Sequence, residues 1–141
     1  MRIDAIKNGI VIDHIAAGRA MQIYDMLSLD RLDCSVAILK NVPSQKMGRK
    51  DIIKIDCDLD IDLDVLGFIS PSITVVFVKD GEVAEKKHIG LPLKLTDIIR
   101  CKNPRCITST EQGIHHSFRL IDAESGTYRC VFCDAKAEIG K

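Results

Sequence analysis

Four cysteines near the carboxyl-terminal end of the sequence have the spacing of metal ligands. Four residues separate Cys101 from Cys106, two separate Cys130 from Cys133, and 23 lie between the pairs. Each spacing lets one tight backbone turn present two sulfur atoms to the same ion. Four thiolates form a closed tetrahedral site with no open position for substrate, so the pattern predicts one structural zinc ion per chain. A disulfide pair or an iron–sulfur site is the alternative.

The region around these cysteines is too short to fold on apolar burial alone. A linker at 89–93 divides the sequence into predicted domains 1–93 and 94–141. About 40 residues bury too little apolar surface to fold unaided, so the second domain needs its metal ion. Asn103-Pro104 and Gly126 predict turns within it, and a hairpin between the cysteine pairs would bring them together. The sequence therefore predicts a small all-β domain resembling a zinc ribbon.

The remaining nucleophilic and basic side chains form no catalytic arrangement. Cys34 and Cys57 lie in apolar-rich segments and are predicted to be buried, unreactive side chains. His115 and His116 have no second donor at metal-ligand spacing and are predicted to be surface residues. The sequence contains no G-x-S-x-G, P-loop or H-E-x-x-H motif, so we expect a protein without an active site.

The first domain shows the periodicities of an α+β sandwich. Apolar residues recur every three or four positions over 17–29, which predicts a helix. A second predicted helix at 63–70 ends before Pro71, whose ring disfavours helical geometry in the preceding residue. The predicted strands are 2–7, 10–15, 36–39, 50–55, 73–78 and 82–88. These elements predict an α+β sandwich in which two helices pack on one face of a mostly antiparallel sheet.

The charge balance and the absence of long apolar runs indicate which partners and which compartment to expect. The 20 Lys and Arg residues equal the 20 Asp and Glu residues. A protein that binds long nucleic acids usually carries a basic surplus, so we expect no nucleic-acid partner. The amino-terminal segment lacks the basic and apolar pattern of a signal peptide, and no apolar run is long enough to span a bilayer. We therefore expect a cytoplasmic protein without membrane contact.

Several motifs together resemble the regulatory chain of aspartate carbamoyltransferase. The stretches that carry the resemblance are 5–7, 9, 11–15, 43–44, 47–51, 53–55 and the C-x4-C…C-x2-C pattern. The resemblance implies a first domain that binds CTP, ATP or related nucleotides and pairs with a second regulatory chain. It also implies a zinc domain that docks on the catalytic chain, which performs the carbamoyl transfer of pyrimidine biosynthesis.

The same resemblance assigns individual residues. The implied nucleotide-binding residues are Asp4, Ile6, Val11, Asp13, His14, Ile52, Lys54 and Lys86. The implied docking residues are Asn103, Arg105 and Asp134. Val76 and Gly81 depart from the asparagine and tyrosine that the family commonly has beside the nucleotide base. The alternative is a zinc-ribbon protein that binds nucleic acid, although residues 97–141 carry seven basic and six acidic side chains.

Overall fold

The computed structural model describes residues 6–137, which divide between Gly90 and Leu91 into two compact units. This division falls within the predicted linker at 89–93. Among the described residues, no helix has the length and apolar character needed to cross a membrane.

The first unit is built on a five-stranded antiparallel sheet. Its strands are β1 (Gly9–Ala16), β2 (Val36–Ser44), β3 (Gly48–Ile55), β4 (Thr74–Lys79) and β5 (Glu82–His88). Their order across the sheet is β2-β3-β1-β4-β5, so β2 and β5 form the two edges. The β4–β5 hairpin turns at Asp80 and Gly81, both of which have positive φ. An Asp-Gly dipeptide favours this kind of tight turn, and it joins the predicted strands 73–78 and 82–88.

Two short helices accompany the sheet. They are α1 (Ala20–Met26) and α2 (Leu63–Ile69), and a 3₁₀ turn, Leu29–Arg31, follows α1. The helix predicted over 17–29 is shorter at both ends, since Gly18 before it has φ of 94° and Ser28 after it has φ of 54°. Asp62 caps α2, since its side chain accepts hydrogen bonds from the backbone N–H groups of Asp64 and Val65.

The core lies between the helices and one face of the sheet. Alternate residues of β1 and β3 point into it, and Ala20, Ile23 and Leu66 of the two helices pack with them. The buried sheet residues are Ile10, Ile12, Ile15, Ile53, Ile55 and Val75. This arrangement confirms the predicted α+β sandwich with two helices on one face of an antiparallel sheet. The opposite face of the sheet carries Val11, Ile52, Lys54 and Val76, which are only partly buried.

A fully buried carboxylate joins three parts of this unit. Asp51 of β3 has 0% exposed surface. Its Oδ2 accepts hydrogen bonds from the backbone N–H groups of Gly18 at 3.0 Å and Ala20 at 3.1 Å. Its Oδ1 accepts one from the Asn41 N–H at 2.8 Å. Asp51 thereby fixes the start of α1 and the irregular part of β2.

The second unit contains a three-stranded antiparallel sheet in the order β6-β7-β8. Its elements are β6 (Lys94–Thr96), α3 (Ile107–Thr110), β7 (Ser117–Asp122) and β8 (Thr127–Cys130). Leu95, Phe118 and Tyr128 are almost fully buried and form its apolar centre. The Tyr128 hydroxyl donates to the Pro92 carbonyl oxygen at 2.7 Å. Apart from one helical turn, this is the predicted small all-β region.

The described residues before β1 differ from the predicted strand 2–7. Residues 2–5 of the predicted strand 2–7 lie outside the described residues, and residues 6–8 are not in a strand. Gly9, which lies between the predicted strands 2–7 and 10–15, begins β1. A Cβ atom at Gly9 would lie 2.0 Å from the Ile55 carbonyl oxygen, so this close strand contact requires glycine.

Candidate metal centre and ligand pocket

The four cysteines predicted as ligands come together in the second unit. Their sulfur atoms all lie within 4.8 Å of one another. The Sγ atoms of Cys101 and Cys133 are 3.6 Å apart, and those of Cys106 and Cys130 are 3.7 Å apart. A tetrahedral ion with metal–sulfur bonds of about 2.3 Å places its sulfur ligands about 3.8 Å apart. The arrangement therefore fits a single tetrahedral metal ion.

Tight turns hold both pairs of cysteines. In the first pair, the Cys106 N–H donates to the Asn103 carbonyl oxygen at 3.0 Å. In the second, the Asp134 N–H donates to the Cys130 carbonyl oxygen at 2.9 Å, at the end of β8. The β7–β8 hairpin turns at Gly126, where φ is 68°. It carries Cys130 back to the first pair.

Two polar side chains next to the cysteines were not identified from the sequence. The Thr108 hydroxyl donates to the Cys106 sulfur at 3.1 Å. His116 Nδ1 accepts the backbone N–H of Cys101 at 3.1 Å, so this histidine positions the backbone of a cysteine. His115, by contrast, is exposed and contacts Asp97. Adjacent histidines in the sequence thus have different roles, which spacing alone does not distinguish.

The thiols differ in their electrostatic surroundings. Burial raises the pKa of Cys101 to about 12. Hydrogen bonds from the Ala135 backbone N–H and the Asn103 side chain lower the pKa of Cys133 to about 6. Cys133 is thus prepared to act as a thiolate ligand. A cation is needed to stabilise the deprotonated form of buried Cys101.

The three predicted docking residues surround this cluster but differ in exposure. Arg105 is exposed, whereas Asn103 is half-buried and its side chain accepts the Arg105 N–H at 3.1 Å. Asp134 is exposed and forms an ion pair with Arg119 at 2.7 Å. Large apolar side chains are exposed at the same turns and at the start of α3, and no sequence pattern indicated them. They are Ile107, Val131 and Phe132, of which Phe132 is 51% exposed.

A pocket of about 390 Å³ lies in the first unit, on the sheet face opposite the helices. It is lined by Ile6, Val11, Asp13, Ile52, Lys54, Val76, Val78, Gly81 and Val83. Ligand sites for small molecules have volumes of about 300–1,000 Å³ and are mostly apolar with a few polar groups. The pocket has this composition, with one carboxylate and one ammonium group among apolar side chains.

Five of the residues predicted for nucleotide binding line this pocket. The structure brings together Ile6, Val11, Asp13, Ile52 and Lys54. His14 and Lys86 are not among the lining residues, and Asp4 lies outside the described residues. Val76 and Gly81, the two departures from the family pattern, do line it. Val78 and Val83 were not predicted, although two-residue alternation from Val76 would have indicated Val78.

The strand register explains how lysines approach the pocket. Val11 of β1 lies opposite Lys54 of β3 and Val76 of β4, and Val76 lies opposite Lys86 of β5. Directly opposed residues in antiparallel strands project from the same face of a sheet. The register therefore places the two valines in one row across four strands, with a lysine at each end. Long side chains at both ends can reach an anion held above the valines.

Asp13 lies at an irregular point of β1. Two residues, Asp13 and His14, stand opposite one residue of β3, and His14 has φ of 56°. Asp13 Oδ1 forms an ion pair with Lys50 Nζ at 3.0 Å and accepts the His14 N–H at 2.6 Å. Although burial opposes the effect, these contacts lower the pKa of Asp13. Among the described residues, buried His14 Nδ1 has no hydrogen-bond partner.

Comparisons with protein families match both units. A family model described as "Aspartate carbamoyltransferase regulatory chain, allosteric domain" matches residues 1–90. A second, described as "Aspartate carbamoyltransferase regulatory chain, metal binding domain", matches residues 94–140. Together the two models cover nearly the whole sequence.

Curated relatives are similar over the same length. The aspartate carbamoyltransferase regulatory chain of Clostridium tetani is 50% identical over 135 residues, which cover 95% of this chain and 94% of the relative. The corresponding chain of Clostridium acetobutylicum is 47% identical over 134 residues, covering 95% and 92%. That of Bifidobacterium longum is 43% identical over 139 residues, covering 99% and 100%.

Proposed function

The chain belongs to the family of aspartate carbamoyltransferase regulatory chains, and on this premise we propose that its first unit binds nucleotide effectors and its second unit binds zinc. It is a non-catalytic regulatory subunit with an allosteric and a metal-binding domain. The observation that carries the nucleotide proposal is the pocket in which Val11, Asp13 and Lys54 meet.

The pocket supports a division of roles among its side chains. Val11, Ile52 and Ile6 provide an apolar surface for a nucleotide base. Both described contacts of the Asp13 carboxylate use Oδ1, which leaves Oδ2 to accept a hydrogen bond from a ribose hydroxyl. A volume of about 390 Å³ suits the nucleoside portion, with the phosphates extending towards the rim.

Cationic groups beside the pocket suit the triphosphate of CTP or ATP. Lys54 lines the pocket, and Lys86 stands at the other end of the same row of residues. His14 follows Asp13 and has a buried ring nitrogen without a partner among the described residues. We assign Lys54 and Lys86 to the phosphates because charge-assisted hydrogen bonds to phosphate are strong and directional. We propose His14 as a further phosphate ligand because the family resemblance implies it.

Calorimetry on neighbouring lysine variants tests this assignment. Lys86→Ala should weaken CTP and ATP binding by roughly ten- to hundredfold, the effect of losing one charge-assisted contact of about 1.5–3 kcal/mol. Lys87→Ala is the matched control, because Lys87 lies opposite core residue Val75 and its Nζ is 5.8 Å from the Phe77 ring centre. Equal losses in both variants, or no heat of binding from the unmodified chain, would refute the assignment.

Allosteric control requires more than binding. An effector shifts an equilibrium only when its affinity differs between two states of the assembly. Val76 offers a base no hydrogen bond, and Gly81 offers no side chain. We therefore propose that CTP and ATP bind with similar affinity. Discrimination between them then falls to other contacts.

We propose zinc as the metal, held by Cys101, Cys106, Cys130 and Cys133. Four thiolates at tetrahedral spacing are typical of structural zinc sites, and the sulfur atoms lie too close together to enclose a multi-iron cluster. Bound zinc joins the two cysteine turns and stabilises a unit with a small apolar core. Elemental analysis should find one zinc ion per chain. Chelation should unfold the second unit while the amide spectrum of the first is retained.

The metal-binding unit is the proposed docking element for the catalytic chain. The turns that hold the cysteines and the first residue of α3 expose both polar and apolar groups, and half-buried Asn103 lies beside them. The exposed groups are Arg105, Asp134, Ile107, Val131 and Phe132. Exposed large apolar side chains beside polar ones are typical of a protein–protein interface. The metal site holds these loops in place, so docking depends on metal binding.

Two variants separate loss of the metal site from loss of the interface. Cys130→Ser should abolish assembly with catalytic chains and reduce the zinc content, whereas Cys34→Ser should change neither. Phe132→Ser should weaken assembly while retaining one zinc ion per chain. Normal assembly of both Cys130→Ser and Phe132→Ser, measured by sedimentation of the purified mixture, would show that docking uses another surface.

Three assignments remain, which concern a second regulatory chain, the cellular compartment and nucleic acid. We propose that the first unit pairs with a second regulatory chain. We also propose that the protein works in the cytoplasm, where cysteines stay reduced and available to a metal ion. We propose no nucleic-acid partner, because basic and acidic side chains are nearly balanced over residues 97–141. A salt-sensitive gel shift with DNA or RNA would revive that alternative.

A further inference from the structure

Two cysteines outside the metal site lie opposite each other at one end of the β2–β3 hairpin. Val36 of β2 pairs with Ile55 of β3, and Cys34 and Cys57 each follow two residues further out. The Asp56 N–H donates to the Ser35 carbonyl oxygen at 2.9 Å, which extends the ladder one step beyond the paired strands. Cys34 and Cys57 therefore occupy the next opposed positions.

The register at this point suits a covalent cross-link. Ser35 and Asp56 occupy a hydrogen-bonded position, so the next pair outwards is non-hydrogen-bonded. Opposed residues at such positions have Cα atoms about 4.5 Å apart, with closely spaced side chains. Disulfides form where the Cα separation is about 4.4–6.8 Å. A ladder continued by one pair beyond Ser35 and Asp56 would bring Cys34 and Cys57 within this range without a change of register.

Contacts of the two thiols agree with this placement. A hydrogen bond with Cys34 is the largest cause that raises the pKa of Cys57 to about 11, followed by burial and by the charges of Asp56 and Asp58. Both cysteines are half-buried and pack against the core of the first unit. A Cβ atom on Gly9 would lie 3.1 Å from the Cys57 backbone nitrogen, so β1 also holds this segment in place.

We propose that Cys34 and Cys57 form a redox modification site that closes to an intramolecular disulfide when a small disulfide oxidant is present. With oxidised glutathione, one cysteine thiolate attacks a glutathione sulfur, forms a mixed disulfide and releases one glutathione thiolate. The second cysteine, as its thiolate, attacks the protein sulfur of that mixed disulfide and releases the second glutathione. Two electrons and two protons pass from the cysteines to the oxidant. The products are one protein disulfide and two reduced glutathiones.

The cross-link ties the outer ends of β2 and β3 and encloses residues 35–56. A disulfide that closes a loop of this length restricts the unfolded chain more than the folded one. Oxidation should therefore raise the melting temperature of the first unit by at least about 5 °C. The metal-site cysteines belong to the other unit, and zinc bound to them in the loaded chain would protect them from the oxidant.

Peptide mapping of the full-length, zinc-loaded chain tests the proposal. After treatment with oxidised glutathione and digestion with trypsin, peptides 32–40 and 55–79 should appear as one species, lighter by two hydrogen atoms than their sum. Reduction with dithiothreitol should separate them. Cys34→Ser and Cys57→Ser should each lose the linked species and the rise in melting temperature, while zinc content stays at one per chain.

Several results would overturn the proposal. These are no linked species in the unmodified chain, stable glutathione adducts on both cysteines, or a link from either cysteine to a metal-site cysteine. Mapping of the unmodified chain decides the question even if a serine variant folds poorly. A linked species without the rise in melting temperature would show that the cross-link strains the native hairpin, and would overturn the stabilising role.

Discussion

Replacement of Asp51 should destabilise the first unit more than a change at any surface carboxylate. The side chain has no exposed surface and accepts three backbone N–H groups at 2.8–3.1 Å. Hydrogen bonds to a charged group each contribute about 1.5–3 kcal/mol. In Asp51→Ala, the Ala20 N–H stays buried without a partner, while those of Gly18 and Asn41 lie near the surface and can bond to water. We therefore expect the free energy of unfolding to fall by about 3–4 kcal/mol.

Asp51→Asn should be less damaging and makes the test specific. The amide oxygen can take the place of Oδ2 and keep the bonds to Gly18 and Ala20. The amide NH₂ then faces the Asn41 N–H, and two donors cannot bond to each other. We expect the free energy of unfolding of Asp51→Asn to be about 2 kcal/mol below that of the unmodified chain and above that of Asp51→Ala.

Urea unfolding of the zinc-loaded chain measures these differences. Circular dichroism follows the transition, and the dependence of free energy on urea concentration should stay constant among the variants. Asp60→Ala is the control, since this exposed carboxylate should change stability by less than about 0.5 kcal/mol. The assigned role of Asp51 is wrong if the free energy of unfolding of Asp51→Ala is within about 1 kcal/mol of that of the unmodified chain. It is also wrong if Asp51→Asn is less stable than Asp51→Ala.

Three further variants test other features. The lowered pKa of Asp13 adds stability that is present above about pH 4 and lost as pH falls through the folded-state pKa. Asp13→Asn should therefore flatten the acid side of a plot of melting temperature against pH, and an unchanged slope would contradict this. Gly9→Ala should lower the urea midpoint because its Cβ meets the Ile55 oxygen, whereas Gly90→Ala, with no atom within 4 Å, should not. Val76→Asn should make the CTP and ATP affinities diverge in calorimetry, and an unchanged ratio would mean that residue 76 does not contact the base.

The elements of the fold were predictable where local pattern determines them. Local sequence patterns identified the five strands of the first unit, and three-to-four-residue periodicity identified α1, since that period follows from helix geometry. Pro71 marked the end of α2, whereas α3 and the strands β6, β7 and β8 were not predicted individually. The cysteine spacing identified the four sulfurs that the structure brings together. The end of α1 could not be predicted, because it depends on the left-handed conformation of Ser28 and the same residue type can also adopt helical geometry.

Features that depend on distant contacts were beyond sequence reasoning. Strict alternation places Asp13 and His14 on opposite faces, but the bulge in β1 breaks that alternation. An Asn-Gly dipeptide such as Asn8-Gly9 commonly forms a tight turn. Here Gly9 instead permits a close approach between strands. Cys34 and Cys57 appeared to be unrelated buried residues because 22 residues separate them, and only the strand register brings them together.

The two edges of the five-stranded sheet differ in their capacity to accept another strand. Every residue of β5 is exposed, and its charged side chains, including Lys86 and Lys87, discourage the addition of another strand. The other edge, β2, begins with an apolar run, Val36 to Leu39, that can accept one. If two copies join at β2 about a two-fold axis, both outer edges of the enlarged sheet are β5. Growth by strand addition then stops at two chains, so one pairing site does not lead to fibres.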